Sequence, residues 1–424
     1  MKHKCSGWAE RGAATLAVAL LLLFGTSIVV FYLNRGLIFE QKTSANQARS
    51  TAAFEAAEAG LEWATGMLND PRDVVTAAGN TCQNATGVTD SFRTNYVPTT
   101  WAGSTVSLAP VTTVSPGCFV NNGASPTCNC PTAGTATLTP AGRPGFTVSF
   151  ATVPLPAPAV GVDPESIRVT SVGCSNTTAA CTAGATTDAT VTVSAVLKLR
   201  RILRSAPAAA LTCGTTCSMS GSFNVANFDA STNGITVNSG SATSGASGAV
   251  ATVPGMPAEN SIVMNDSTLA ALTCNNDSMF SAYFGSTIAE FAASPATATI
   301  ASGTEADFTT GFNNGFRSFY FPNGAAFQGN GPNIGTATDP VTFVIGSGSF
   351  DFNSHRAFYG LAFSNTVNTG VTGTGSSQIY GAVVACGAAN TNGNGVIVYD
   401  GTILSRAQLG TATLVRVPGS WRDF

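Results

Sequence analysis

The hydrophobic pattern of the chain begins with one long apolar run. No charged residue lies between Ala13 and Leu33. At about 1.5 Å per residue, a helix of this length spans about 31 Å, close to the roughly 30 Å hydrocarbon core of a bilayer. A helical pattern then continues from Asn34 to Asn69, and Pro71 ends it. The sequence therefore predicts one membrane-spanning helix that continues beyond the membrane as an exposed helix.

Small apolar residues recur every three or four positions in the second half of this helix: Ala53, Ala57, Leu61, Ala64 and Leu68. Such a stripe predicts a face that packs closely against a sheet or a neighbouring helix. Three carboxylates share another face of the helix: Glu55, Glu58 and Glu62. Two interpretations stay open for them, a solvated helix face and a docking strip for a partner subunit.

The segment before the apolar run is short and basic. Lys2, Lys4 and Arg11 outweigh Glu10, and an excess of positive charge holds such a segment on the cytoplasmic side of a membrane. A secretory signal would have an apolar core of only about 7 to 15 residues followed by its cleavage site. We therefore expect a chain anchored in the inner membrane, with the region after Leu33 facing the periplasm or beyond.

Two separated motifs carry a family resemblance. The strings RGAATLAVALL at residues 11–21 and AFEAAEAGL at residues 53–61 resemble the amino-terminal segment of PilX-type minor pilins of type IV pili. The resemblance covers residues 11–69. It implies cleavage by a prepilin peptidase after Gly12, which leaves Ala13 as a methylated first residue of the mature chain, where most pilins have Phe.

The resemblance also implies partners and a place in the fibre. Typical pilins have Glu at the fifth mature position, which is Ala17 here. In the family that carboxylate is thought to neutralise the terminal amine of the subunit assembled before it, because a buried charge is costly without a partner. A subunit that starts the fibre has no such neighbour, so Ala17 favours a tip or priming position over insertion anywhere in the fibre. Other minor pilins, the major pilin and a PilY-type tip adhesin are the implied partners.

Composition limits the possible functions. Only 10% of the 424 residues are charged, the net charge is -3 and hydrophobic residues make up 44%, which is typical of a folded, turn-rich extracellular β protein. The chain has no basic excess, so we expect no nucleic-acid partner.

The cysteines support export to an oxidising compartment. There are 11 of them; cleavage after Gly12 would remove Cys5 and leave an even number, which the periplasm can pair. The candidate pairs are Cys174 with Cys181, Cys213 with Cys217, and Cys274 with Cys386. A zinc site is disfavoured because the mature chain has one histidine, His355, and no second pair of cysteines to match Cys128 and Cys130.

Alternating apolar residues predict antiparallel strands in the first head region, residues 71–205. The runs are Gly145–Val153, Ser166–Val172 and Thr187–Arg204, and the last two are expected to form a hairpin. Together with the helix they predict an α+β fold in which a long amino-terminal pilin helix packs on an antiparallel β head. The expected order is a leader (1–12), the helix (13–70), the head (71–205) and a β-rich carboxy-terminal domain (206–424).

The carboxy-terminal domain contains a weak repeat. Tyr359-Gly360 recurs as Tyr380-Gly381, 21 residues later, among short β runs separated by Gly and Asn turns. Stacked short strands of this kind predict a β-helix or another β-solenoid, with a β-sandwich as the alternative. Trp421 and Phe424 are expected to cap the core of this domain.

Motifs for catalysis are missing from the sequence. It has no G-x-S-x-G, no H-E-x-x-H and no Gly-Lys phosphate loop. His355 near Asp351 is better explained as structural than as an acid–base pair, and residues 390–395 have no carboxylates for calcium. We expect a protein without cofactor or enzymatic activity. The alternatives are a membrane-anchored surface adhesin, a type II secretion pseudopilin and an envelope glycan-acting β-helix enzyme.

Overall fold

The computed structural model describes residues 9–76, 82, 90–102, 105–120, 126–139, 142–177, 181, 189–245, 250–367, 369–374, 376–410 and 412–423. Helix α1 (Ala9–Asn69) is a single helix of 61 residues. The side chains described between Ala14 and Ser50 are all exposed, and burial begins at Ala53. The predicted span and its continuation therefore form one rod whose carboxy-terminal quarter is packed.

The head region that follows contains one short helix and nine strands within the described residues. They are α2 (Phe92–Tyr96), β1 (Thr99–Ala102), β2 (Thr105–Leu108), β3 (Val114–Ser115), β4 (Gly117–Phe119), β5 (Thr127–Asn129), β6 (Gly134–Thr135), β7 (Gly145–Pro154), β8 (Val162–Cys174) and β9 (Thr190–Arg200). Strands β5, β4, β7, β8 and β9 are neighbours in that order and pair antiparallel, with Ile167 opposite Leu197 in the β8–β9 pair. The three predicted strands are thus present.

One face of this sheet packs against α1. Val193, Ala195 and Leu197 of β9 are fully buried, as are Leu61 and Ala64 of the helix, because alternation along a strand places every second side chain on the same face. The long amino-terminal helix followed by a β-rich region agrees with the predicted α+β class.

Between β9 and the last two described strands lie seventeen strands and five α-helices within the described residues. The strands are β10 (Leu211–Cys213), β11 (Cys217–Met219), β12 (Asn224–Ala226), β13 (Val237–Ser239), β14 (Thr243–Ser244), β15 (Val250–Ala251), β16 (Ile262–Val263), β17 (Thr297–Thr299), β18 (Ser318–Phe321), β19 (Ala325–Gly329), β20 (Val341–Ile345), β21 (Phe350–Ser354), β22 (Ala357–Ser364), β23 (Thr369–Thr374), β24 (Gln378–Ala385), β25 (Ala388–Thr391) and β26 (Val396–Tyr399). The helices are α3 (Ser267–Ala270), α4 (Ser278–Phe284), α5 (Ile288–Ala292), α6 (Glu305–Asn313) and α7 (Gly401–Gly410).

These strands form two parallel sheets. From β18 to β26 successive strands alternate between the sheets, so β18, β20, β22, β24 and β26 are neighbours in one sheet and β19, β21, β23 and β25 in the other. Phenylalanine side chains such as Phe327, Phe343 and Phe350 are fully buried between the sheets. Parallel pairing throughout the described strands of this region distinguishes it from an antiparallel β-sandwich.

The repeat noted in the sequence is a structural repeat. Tyr359 lies opposite Tyr380 and Gly360 opposite Gly381 in the β22–β24 pair, and the two tyrosine rings stack with their centroids 5.1 Å apart. A β-carbon at Gly381 would lie 2.0 Å from the Gly360 carbonyl oxygen, so the close approach of the two strands requires glycine there.

The last strands return to the head. Strands β27 (Thr413–Arg416) and β28 (Arg422–Asp423) both pair antiparallel with β9, and Thr413 lies opposite Arg200. The residues that form the parallel sheets therefore lie, in sequence, between β9 and β27, and these two strands pair with each other in the head sheet. Trp421 does not cap the second core as predicted, because it is 38% exposed and contacts α1; Phe424 is outside the described residues.

Candidate functional site: the exposed helix and its junction with the head

The exposed part of α1 is strongly apolar. Leu21, Phe24 and Phe31 are 71%, 66% and 74% exposed, respectively. Within the described residues, α1 is the one helix long and apolar enough to cross a membrane. An apolar surface of this extent is unusual on a soluble monomer and marks a site of contact with lipid or with other protein chains.

The predicted processing and assembly residues lie along this rod. Gly12 and Ala13 fall within α1, although their side chains are outside the description. Ala17 is exposed, and a β-carbon at Gly25 would have no neighbour within 4 Å. The small side chains of the span therefore face open space in the monomer.

Helix α1 and strand β8 approach each other closely at Gly173. A β-carbon at this position would lie 2.1 Å from the Ala53 carbonyl oxygen and 2.3 Å from the Ala57 nitrogen. From the helix side, a β-carbon at Gly60 would lie 2.2 Å from the Ser171 hydroxyl oxygen. The predicted small-residue stripe is thus matched by a glycine on the sheet.

The acidic residues of α1 have partners in the carboxy-terminal tail. The Trp421 indole N–H donates to Glu58 Oε1 at 2.6 Å, and Arg416 forms an ion pair with Glu62 at 2.7 Å. Glu55 is exposed, and among the described residues it has no hydrogen bond or ion pair. The sequence did not predict these contacts, because nothing in the spacing of Arg416 and Trp421 shows that the tail strands pair with β9 and so lie beside α1.

Two further side chains hold the returning strand β27. Asn69 exchanges two hydrogen bonds with the backbone of Leu414, and Arg93 donates to the Ala412 carbonyl at 2.8 Å. Burial lowers the pKa of the Arg93 guanidinium to about 10, so the group keeps its charge at neutral pH. Sequence reasoning named neither residue.

Buried aromatic side chains support this junction. Tyr96 donates its hydroxyl to the Pro131 carbonyl at 2.8 Å, and burial raises the pKa of that phenol. Its ring lies 4.6 Å from that of Phe92, centroid to centroid, and Trp63 of α1 packs edge-on to Phe92 at 5.3 Å. These contacts fix the orientation of α2 against the end of the helix.

Five disulfides join the ten cysteines from Cys82 to Cys386, all of which the structure describes. The structure pairs Cys174 with Cys181, Cys213 with Cys217, and Cys274 with Cys386, the three pairs that the sequence analysis proposed. The remaining pairs, which the sequence left unassigned, are Cys82–Cys130 and Cys118–Cys128.

The residues considered for catalysis or metal binding lie apart from this junction. His355 is exposed at the turn between β21 and β22, and Asn390 is exposed on β25. In the part of the chain that the structure describes, no three His, Cys, Asp or Glu side chains form a group that could hold a metal ion.

Comparison with known proteins identifies the amino-terminal segment. Residues 11–62 match the model of the family described as PilX N-terminal. The solved structure of the competence-associated pilin ComZ from Thermus thermophilus is similar at 12% identity, with 89% of this chain and 97% of that chain covered and a TM-score of 0.22. No curated protein matches. Residues 11–62, which lie within the rod-like helix α1, are therefore similar to the amino-terminal segment of the PilX family.

Proposed function

We propose that this protein is a minor pilin incorporated at or near the tip of a type IV pilus. The observation that carries the proposal is the contrast along α1: the side chains described between Ala14 and Ser50 are all exposed, whereas from Ala53 onward one face of the helix is buried. The exposed part is apolar enough to dissolve in a bilayer and needs another apolar environment when it leaves the membrane. Neighbouring helices in a fibre supply that environment.

Assembly then proceeds by exchange of contacts. The chain is anchored in the inner membrane with its head in the periplasm, and a prepilin peptidase cuts after Gly12. The new terminus, Ala13, is methylated. The span leaves lipid and packs among the helices of other minor pilins and the major pilin, where small residues such as Ala14, Ala19 and Gly25 permit close approach.

The identity of residue 17 supports a position of this subunit at the tip of the pilus. Ala17 cannot neutralise the terminal amine of a preceding subunit, so the subunit is best suited to start the fibre, where no preceding amine is buried. In this position it promotes pilus assembly. Pilus-related partners in general follow from the family match, and a PilY-type tip adhesin is the specific partner that we propose for the head.

The head is proposed to consist of two nested domains. Since Thr413 pairs with Arg200, the region from residue 201 to 412 leaves and re-enters the pilin-like sheet at neighbouring positions. We propose that residues 413–423 belong with the head of residues 71–205 and not with the expected domain 206–424, because β27 and β28 pair with β9. We propose that the inserted part winds as a β-solenoid, each coil supplying one strand to each parallel sheet, and that this disulfide-braced domain is displayed for adhesion.

Of the proposed acidic docking strip, Glu55 remains the member available to a partner pilin. Glu58 and Glu62 already hold the carboxy-terminal tail, which favours a structural role for them. A family match to pilins favours a structural protein over an enzyme, and we propose no catalytic activity.

The proposal is tested by mass spectrometry of sheared, purified pili and by deletion of the gene. The protein should be present in the pili with Ala13 as its first residue, and the deletion strain should carry fewer surface fibres. Gly12→Val should leave the leader attached and exclude the protein from pili, whereas the matched leader variant Gly7→Val should be processed normally. Recovery of an intact leader, or unchanged fibre number and adhesion after deletion, would refute the assembly role.

A further inference from the structure

A polar cleft lies where the end of α1 meets both parts of the head. It has a volume of about 290 Å³ and receives residues from α1, α2, β1, α7 and the segments before β18 and β20. Its charged side chains are Asp70, Asp73, Arg93, Arg317, Asp339 and Arg406. Junctions between domains are common places for small-molecule sites.

Two of the three carboxylates that line the cleft, Asp70 and Asp339, form ion pairs with arginines. Arg72 binds both oxygens of Asp70, at 2.6 to 3.1 Å. The Arg317 Nε donates to Asp339 at 2.7 Å. Burial raises the pKa of Asp73, and the charge of Arg317 partly offsets that rise.

Two arginines remain without a carboxylate within ion-pair distance among the described residues. Arg93 donates to the carbonyl of Ala412 at 2.8 Å and Arg406 to that of Ala337 at 2.6 Å. The Nε of Arg406 is a buried donor with no partner. A guanidinium group that binds only neutral carbonyls lacks a counter-charge, and its planar donors match a carboxylate.

The wall beside these arginines combines an aromatic ring and hydroxyl groups. The Arg406 guanidinium carbon lies 5.9 Å from the centroid of the Trp101 ring, and Thr94, Thr99 and Thr338 also line the cleft. An aromatic surface next to hydroxyls and a cationic end suits a ligand that has an apolar ring face, several hydroxyls and one carboxylate.

We infer that this cleft binds the carboxylate of a sugar acid, with Arg93 and Arg406 at the carboxylate end and Trp101 against the sugar ring. The volume is at the lower end of the roughly 300–1,000 Å³ usual for small-molecule pockets, which fits a single sugar ring. The inference does not depend on the assembly role, since Arg93, Trp101 and Arg406 all lie outside the exposed part of α1.

Calorimetric titration of the full chain in detergent with D-glucuronate tests the inference. D-glucose serves as the neutral control ligand and acetate as the carboxylate without a ring. Glucuronate should bind and the other two should not. Arg406→Gln should weaken binding about tenfold or more, because a hydrogen bond to a charged group is lost, and Trp101→Leu should weaken it independently of that charge.

Arg201→Gln is the matched control. Arg201 pairs with Glu165 on the sheet and does not line the cleft, so the variant should bind glucuronate as the wild type does. Arg406→Lys should recover part of the affinity because it keeps the charge. Absence of glucuronate binding, equal binding of acetate, or unchanged affinity in folded Arg406→Gln would overturn the inference.

Discussion

Asn69 and Leu414, separated by 345 residues in sequence, exchange two hydrogen bonds. The Asn69 side-chain amide donates to the Leu414 carbonyl at 2.9 Å, and the Leu414 N–H donates to Asn69 Oδ1 at 2.6 Å. A primary amide can donate and accept in one plane, so the last residue of α1 provides the contacts that a neighbouring strand would provide. The open edge of β27 is thereby held against the end of α1.

Replacement of Asn69 should loosen this connection. Asn69→Ala removes both bonds and leaves the N–H and C=O of buried Leu414 without those partners, which we expect to cost about 1–3 kcal/mol. Hydrogen exchange at the Leu414 amide should accelerate accordingly. Asn224→Ala, at an exposed side chain whose one hydrogen bond among the described residues is to the Ser222 carbonyl, should change stability by less than about 0.5 kcal/mol. Equal protection of Leu414 in wild type and Asn69→Ala would contradict the proposed tie.

A pair of glycine variants tests the packing of α1 on the sheet. Gly173→Ala places a β-carbon against backbone atoms of Ala53 and Ala57, and we expect a loss of about 1–3 kcal/mol from overpacking. Gly66→Ala is the control, because a β-carbon there has no neighbour within 4 Å and alanine favours the helix by up to about 1 kcal/mol. In urea unfolding of the head, the two variants should change the free energy of unfolding with opposite signs. A Gly173→Ala protein as stable as the wild type would rule out the close approach.

The disulfides should differ in their contributions. Cys274–Cys386 closes a sequence separation of 112 residues, whereas Cys213–Cys217 closes one of 4. Since loop-closure entropy grows with loop length, the double serine variant of the first pair should lose about 2–5 kcal/mol and that of the second clearly less. Thermal unfolding of the two variants checks the order, and a larger loss for the Cys213–Cys217 variant would contradict it.

Acid should weaken the ion pair between Glu305 of α6 and Arg356, the residue directly before β22. Hydrogen bonds from Arg356 lower the pKa of Glu305 below its ordinary value of 4.5, and the Arg356 side chain is only 1% exposed. Because the folded-state pKa is the lower one, the stabilisation is complete above about pH 4.5 and disappears as the pH falls through the lowered pKa.

Glu305→Gln should therefore reduce stability by about 1–3 kcal/mol at neutral pH, less than for a fully buried pair because Glu305 is partly solvated. The difference from the wild type should shrink in acid. Glu55→Gln, at an exposed carboxylate without an ion pair among the described residues, should follow the wild-type curve. Denaturation midpoints between pH 3 and pH 7 measure this, and a constant difference over the range would oppose the assignment.

The proposed tip position can be tested at residue 17. Ala17→Glu restores a carboxylate that can neutralise the amine of a preceding subunit, so the variant protein should spread along the fibre. Immunogold labelling of intact pili would show the change from terminal to distributed label. Ala19→Glu is the control: it places the charge away from that amine, where an unpaired carboxylate in the span is costly, and incorporation should fall. Distributed label in the wild type would contradict the tip position.

The sequence predicted local features well because their signals are local. An uncharged run sets the length of the span, alternation defines β7, β8 and β9, and the 21-residue recurrence of Tyr-Gly identified strands that are neighbours in the parallel sheet. The small-residue stripe from Ala53 to Leu68 predicted the packed face of α1, since helical periodicity alone decides which side chains share a face.

The sequence did not predict which distant strands pair with each other. Strand β10 pairs with β24 as well as β13, so the first strand after the head lies next to a strand from the end of the parallel-sheet region, and no periodicity shows this. The two cysteine pairs Cys82–Cys130 and Cys118–Cys128 depended in the same way on which strands become neighbours.

The sequence by itself determined that the chain has a rod-like apolar helix, an antiparallel head and a repeated β region, because composition and periodicity act over a few turns or strands. The tertiary structure decided that strands β27 and β28 pair with β9 of the head. It also decided that Glu58 and Glu62 bind Trp421 and Arg416, and that Arg93 and Arg406 line one cleft. Those outcomes depend on which strand pairs with β9 on the side opposite β8. The free energy of that pairing comes from contacts between residues more than 200 positions apart, which no local pattern contains.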